Sequence, residues 1–328
     1  MSMKKIVFVA LAMMTAVCGC KAGEQSGSQT EKSAGKMVKE TRQVGEFNGI
    51  TLIGSCKVIC TLGKTRSVVV EAPKEAAQQL VTEVMPDGVL KISHKKIAGV
   101  TVVGSNEDRT TVRVTVPALK SVKLAGSGDI IIKETLTSND ILTVSLSGSG
   151  NIDVSGVDAK YPLFILSGSG NLAVGSIKSE KVDVSLAGSG DLKVGSIDSD
   201  DARITLSGSG DIAIGGVKAV KVKATAVGSG DMTIGKVDCD ALNINHTSSG
   251  GKMAVGVTAV TTNVSSVGSG NLKLSGQTHT YNEKKFGSGK IDKSGLKYDQ
   301  TTQTNQNEQK SVSSGNTVTS PNGIEAEP

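Results

Sequence analysis

The chain has 328 residues, of which 37% are apolar and 20% charged, with a net charge of +5, and this excludes both a chain disordered throughout and a polytopic membrane protein. Its outliers are 40 Gly, no Trp, 4 Phe and 3 Tyr. A core without aromatic rings has to be built in thin layers of Val, Ile, Leu and Ala, and the same lack excludes RNA-binding platforms and most sugar-stacking clefts, which need exposed aromatic faces.

Residues 1–19 read as a secretory signal, with Lys4 and Lys5 ahead of the apolar run from Ile6 to Met14, which is too short to span a bilayer. The run ends at Val17-Cys18-Gly19-Cys20, a tetrad that resembles the bacterial lipobox. Cys20 fits the lipidated residue that becomes the new N-terminus. Cys18 does not, because Val17 is a poor small residue before a cut. Ordinary signal-peptidase cleavage is the alternative. Acyl chains on Cys20 would contribute about 0.8 kcal/mol per buried methylene, which makes the membrane a permanent partner.

Residues 20–43, rich in Gly, Ser, Gln, Glu and Lys, read as a flexible tether, and residues 295–328, rich in Thr, Gln, Asn and Ser, as a disordered polar tail. Loss of the signal takes two of the 36 basic residues and none of the 31 acidic ones, leaving 34 against 31. That near-balance gives no footprint for nucleic acid.

Residues 44–120 are strand-like without regularity and read as N-terminal coils plus a cap. Ala72 to Leu80 suits a short helix, and Pro86-Asp87-Gly88 a hairpin turn between Val81–Met85 and Val89–Ile92. Cys56 and Cys60 lie about 13 Å apart if extended, too far to bridge each other. With Cys239 they read as buried small hydrophobes.

From residue 121 to 294 the chain repeats. Gly-Ser-Gly begins at Gly126, Gly148, Gly168, Gly188, Gly208, Gly228, Gly268 and Gly287, and Ser248-Ser249-Gly250 fills the gap with a degenerate copy. Gly54-Ser55-Cys56 looks like a decayed earlier copy, which places Cys60 in an inward column. Four places after the first Gly stand Ile130, Ile152, Leu172, Leu192, Ile212 and Met232; two before it stand Leu124, Leu146, Leu166, Leu186 and Leu206. The alternation has period two, so the units are strands.

A unit of this length cannot close a core alone, but stacked units bury a continuous one. The prediction is an all-β chain: a right-handed parallel β-helix of about 20-residue coils with an irregular N-terminal cap. An antiparallel meander or a propeller is the runner-up, although propeller blades need about twice this period. The glycines fall at inward positions, where a missing side chain lets the wall pinch.

Phe47-Asn48-Gly49-Ile50 with Gly54-Ser55, then Asp87-Gly88-Val89-Leu90, Val116-Pro117-Ala118-Leu119 and Leu124-Ala125-Gly126-Ser127-Gly128-Asp129, together resemble the head GIN family, also called putative auto-transporter adhesin head domains or DUF2807 proteins. The resemblance covers about residues 44–293. It implies a β-helical fold and a lipoprotein of the Bacteroidetes cell envelope, with the outer membrane as its place and either face open. It brings no catalytic or binding residues.

Outward parity places Ser189, Ser209 and Ser229 in one polar ladder, with Asp191, Asp211 and Asp231 in a second two places on. Such side chains satisfy backbone N–H groups at a tight bend, and they also make a strip that suits a glycan, an envelope or matrix protein, or cations. Calcium bridging Asp191, Asp211 and Asp231 is the one metal reading. His246 stands in a column of leucines and reads as a hydrogen-bonded core histidine. No catalytic or cofactor motif is present, so no cofactor and no enzyme activity are expected. A polysaccharide lyase or hydrolase on the β-helix is the alternative to a binding or structural module.

Overall fold

The computed structural model describes residues 36–97, 100–101 and 109–303. The signal, Cys20, most of the tether and residues 304–328 lie outside them. Strands β1 (Met37–Arg42), β2 (Gly49–Ile53), β3 (Lys57–Leu62) and β4 (Ser67–Pro73) precede one short helix, α1 (Lys74–Gln79). There follow β5 (Leu80–Val84), β6 (Val89–His94), the small antiparallel pair β7 (Lys96–Ile97) and β8 (Val100–Thr101), then β9 (Thr111–Val116) and β10 (Ser121–Leu124). The repeats are β11 (Asp129–Leu146), β12 (Asn151–Leu166), β13 (Asn171–Leu186), β14 (Asp191–Gly208), β15 (Ile212–Gly228), β16 (Met232–Ser248), β17 (Lys252–Gly268), β18 (Asn271–Phe286) and β19 (Ile291–Gln303).

From β10 to β19 every strand pairs in parallel with the next, and the pairs form a β-solenoid of about 9 turns. Like residues lie side by side: Leu166 is beside Leu186, Leu172 beside Leu192, and Ile177 beside Ile197. The propeller and meander readings require antiparallel neighbours and are excluded.

The buried residues of β13 are Leu172, Val174, Ile177, Val182, Val184 and Leu186. Their spacing is two except where the phase slips, between Val174 and Ile177 and again before Val182. Each slip turns the chain, so a coil has three flat faces: B after the triplet, C, and A leading into the next triplet. Each inward Leu, Ile or Val contributes about 1.5–3 kcal/mol when fully buried, and a one-residue slip would expose a whole face.

The triplet turns the chain from face A to face B without a phase slip. The carbonyl oxygen of Gly148 accepts two hydrogen bonds from the next coil, from the Ser169 N–H at 3.1 Å and the Gly170 N–H at 3.2 Å. A Cβ on Gly168 would lie 2.0 Å from that same oxygen. The glycine requirement therefore comes from the neighbouring coil's backbone, rather than from crowding in the core. Gly54 plays the same part for Ser127 and Gly128, so the decayed triplet is a working corner.

At the N-terminal end chain order and spatial order part company. β2 and β3 form one coil, with β10 and the start of β11 stacked on one side of it and β6 and β9 on the other. The terminal layer is thus built by β6 and β9, and the chain crosses back over the first coil through Pro117–Lys120. β4 then pairs antiparallel with β9, β1 with β4, and β5 with β6, so reversed strands close the stack. α1 buries Ala76 and Ala77, and the Arg42 guanidinium donates to the Ala77 carbonyl at 2.6 Å. Regular structure is therefore present at β1, inside the stretch read as tether, because Met37–Arg42 finds a sheet edge to join.

The far end closes with polar and aromatic groups. In the last coils Tyr281, Glu283 and Lys293 occupy positions that aliphatic residues hold elsewhere. The Tyr281 hydroxyl donates to Glu283 Oε2 at 2.7 Å, and Lys293 Nζ lies 2.8 Å from the same oxygen. Tyr298 stacks on Tyr281 with ring centroids 5.2 Å apart. β19 therefore carries regular structure to Gln303, into the stretch read as disordered tail, with Leu296 buried and Tyr298 as its ring contact.

Candidate functional site

The triplet corner presents the two predicted ladders. Ser189, Ser209 and Ser229 are all exposed on one line, and Ser229 Oγ lies 3.2 Å from Ser249 Oγ. Beside them run Asp191, Asp211 and Asp231, exposed or half-buried. Asp211 Oδ1 accepts the Asp231 N–H at 2.9 Å, and Asp231 Oδ1 accepts the Lys252 N–H at 2.8 Å. These carboxylates cap the backbone of the following coil, which leaves each one oxygen for other partners. In earlier coils amides bond along the ladder instead, Asn171 Nδ2 donating to Asn151 Oδ1 at 2.9 Å and Asn151 Nδ2 to Asp129 Oδ1 at 2.8 Å. Among the described residues no group of three His, Cys, Asp or Glu side chains is arranged to hold a metal ion.

The degenerate coil departs from the sequence alignment. A count of three places from Ser248 puts Gly251 in the Asp column, but Gly251 takes the buried place of the triplet's second Gly, and Lys252 holds the Asp position, beside Asn271. Gly250 is the extra residue and bulges into open space, with nothing within 4 Å of its Cβ position. The Ser248 hydroxyl donates to the Gly228 carbonyl at 2.8 Å and accepts the Gly250 N–H at 3.1 Å, which repairs the corner. His246 sits next to this repair, 1% exposed, between Ala226 and Ser266. Burial pushes its imidazole below the usual value against an opposing hydrogen bond with the Gly251 backbone, and Nδ1 has no partner.

Two surfaces were not foreseen. Ten places after Gly148, Gly168, Gly188, Gly208 and Gly228, the residues Asp158, Lys178, Asp198, Lys218 and Asp238 lie each beside the next, so sign alternates from coil to coil. This column enters an open groove of about 810 Å³ at the corner between faces C and A, which Asp200, Asp240 and the exposed Val220 and Val260 also line. His279 belongs to its far end, where Nδ1 lies 2.8 Å from Asp299 Oδ2. On face A, Asn282 Nδ2 donates to Asn263 Oδ1 at 2.8 Å and Asn263 Nδ2 to Asn243 Oδ1 at 3.0 Å. The Asn pair at period twenty and the alternating Lys and Asp were the readable signals.

Cys60 and Cys239 are not poised as nucleophiles. Burial pushes the Cys60 thiol up to about 12, with Glu134 adding to it, and the Cys239 thiol to about 11, so both stay protonated at neutral pH.

Fold and surface together define a capped parallel β-solenoid whose chemistry is presented as repeated polar columns. The chain belongs to the family described as "Putative auto-transporter adhesin, head GIN domain" (DUF2807), whose model matches residues 46–236. Among solved structures it is similar to a putative adhesin from Parabacteroides distasonis, with 19% identity and a TM-score of 0.62 over 79% of this chain and 97% of that one. A putative adhesin from Parabacteroides merdae gives 21% and 0.62 over 79% and 96%. A putative lipid binding protein from Parabacteroides distasonis gives 22% and 0.59 over 83% and 98%. At these identities the likeness shows the fold alone. No curated protein matches the chain.

Proposed function

We propose that the protein is a non-catalytic, lipid-anchored module of the cell envelope that binds a periodic polymer, a glycan or matrix chain, along its Ser and Asp corner. The observation that carries this reading is the recurrence of the same exposed polar positions on successive coils, about 4.8 Å apart. A surface with that period meets a repeating ligand at many equivalent points, and weak contacts then add up. The family's adhesin description, and solved relatives described as putative adhesins, support binding rather than catalysis. Among the described residues no helix is long and apolar enough to cross a membrane. In this reading acyl chains on Cys20, the lipobox-like cysteine, hold the protein to the envelope.

A glycan array probed with the chain from Lys21 onward, alongside a lyase and hydrolase panel, tests the reading. Binding that weakens in the triple variant S189A/S209A/S229A supports it. Binding indifferent to that variant, or turnover of a polysaccharide, overturns it. Palmitate labelling that is lost in Cys20→Ala tests the anchor separately.

A further inference from the structure

Charge is segregated along the solenoid. Between residues 191 and 250 stand eight acids and six bases, whereas residues 251–303 hold seven lysines against three acids. The change of sign is visible on one corner, where the column Asp191, Asp211, Asp231 continues as Lys252, Asn271 and Lys290. The column just before the triplet changes with it. It is Ala187 and Ser207 in the middle coils, then Val227, Thr247, Val267 and Phe286, with Val267 39% and Phe286 36% exposed. Lys284 and Lys290 flank Phe286 in sequence on the two sides of the corner, both exposed, and Lys273 is exposed one coil away. Asp292 is the one acid among them, its carboxyl held low first by Ser294 and then by Lys290 and Lys273.

We infer that this terminal corner docks end-on against an anionic lipid bilayer, with Phe286 and Val267 entering the interface and Lys252, Lys273, Lys284 and Lys290 meeting the headgroups. Exposed aromatic and aliphatic side chains rimmed by lysines suit the interface, where each Lys near an anionic surface strengthens binding about fivefold. These exposed apolar and lysine side chains are confined to the last coils. A long anionic polymer lying along the corner would run on over the carboxylates of Asp191, Asp211 and Asp231, whereas a flat surface met by the end of the solenoid avoids them. The inference does not rest on the proposed polymer-binding role, since it uses other coils and other residues.

The test is cosedimentation of the chain from Lys21 to Pro328, which carries no acyl group, with vesicles of phosphatidylglycerol and phosphatidylcholine. Binding to the mixed vesicles is expected, absent with pure phosphatidylcholine and weakening as salt rises. K284Q/K290Q should lose at least tenfold in affinity, and Phe286→Ser should weaken binding while leaving its salt dependence unchanged. A control of equal charge loss on the middle coils, K218Q/K221Q, should bind as the unaltered chain does. Unfolding curves keep loss of fold apart from loss of binding. Equal loss in the control, no binding to anionic vesicles, or binding only to soluble dextran sulfate overturns the inference.

Discussion

Gly188 lies directly over Gly168: a Cβ on Gly188 would come within 2.1 Å of the Gly168 carbonyl oxygen, the atom that also accepts the Ser189 and Gly190 N–H groups, each at 3.2 Å. Gly188→Ala therefore has to break both bonds or push two coils apart. The expected cost is about 2–4 kcal/mol, combining overpacking with unsatisfied amides. Gly250→Ala is the internal control, with open space around its Cβ position and an expected change within about 0.5 kcal/mol. Denaturant unfolding of the two variants side by side measures the difference.

His246 makes stability depend on pH. Its folded-state pKa is depressed below 6.5 chiefly by burial, so the unfolded chain takes up a proton first as pH falls. Stability is full above about pH 6.5 and declines below it, until the folded imidazole is protonated as well. His246→Leu restores the side chain that Leu206 and its predecessors carry in this column. It should raise stability at neutral pH by about 1 kcal/mol and flatten this part of the acid-side decline. Urea midpoints between pH 5 and 8 report both effects.

The Asp ladder is expected to act on stability through backbone capping. Asp211→Ala removes the acceptor of the Asp231 N–H and should cost about 0.5–1.5 kcal/mol, while Asp211→Asn keeps an acceptor and should cost less. With Asp211 and Asp231 engaged in capping, melting curves of the unaltered chain should coincide in millimolar calcium and in chelator; a higher melting temperature in calcium would show a bridged column instead.

The terminal plug should be locally, not globally, important. Glu283→Ala leaves the Tyr281 hydroxyl and Lys293 without their shared partner, in a place where the Glu283 side chain is 16% exposed. A loss of about 1–3 kcal/mol is expected. Hydrogen exchange should show it first in β18 and β19 and last in the middle coils. Burial raises the Tyr281 phenol far above its usual range, so this tyrosine should stay protonated in an alkaline titration until the end unfolds.

The coil, its register and its inward columns were legible because every coil repeats the same contacts, and a repeated contact leaves a repeated residue. Leu166 and Leu186 are readable as neighbours for that reason. The reason for the glycines was not legible, since the atom that excludes a Cβ is a backbone oxygen of the preceding coil and leaves no mark of its own. Lys252 was assigned to no column because the Gly250 bulge shifts the count by one at a corner that Ser248, not Gly, opens. The crossing at Pro117–Lys120 was hidden for another reason: β6 and β9 join the first coil from below, out of chain order, and nothing periodic records it. The Ser and Asp columns could be placed on one corner, but the capping role of Asp211 depends on where a backbone N–H points.

Pulsed electron paramagnetic resonance tests the stacking of coils most directly. With one spin label at Ser149 and the second at Ser229, Ser249 or Ser269, all exposed, the mean separation should grow by about 4.8 Å per coil, from about 19 to 24 to 29 Å. Separations that fail to increase in that order, or that alternate between short and long, would contradict a single stack of parallel coils.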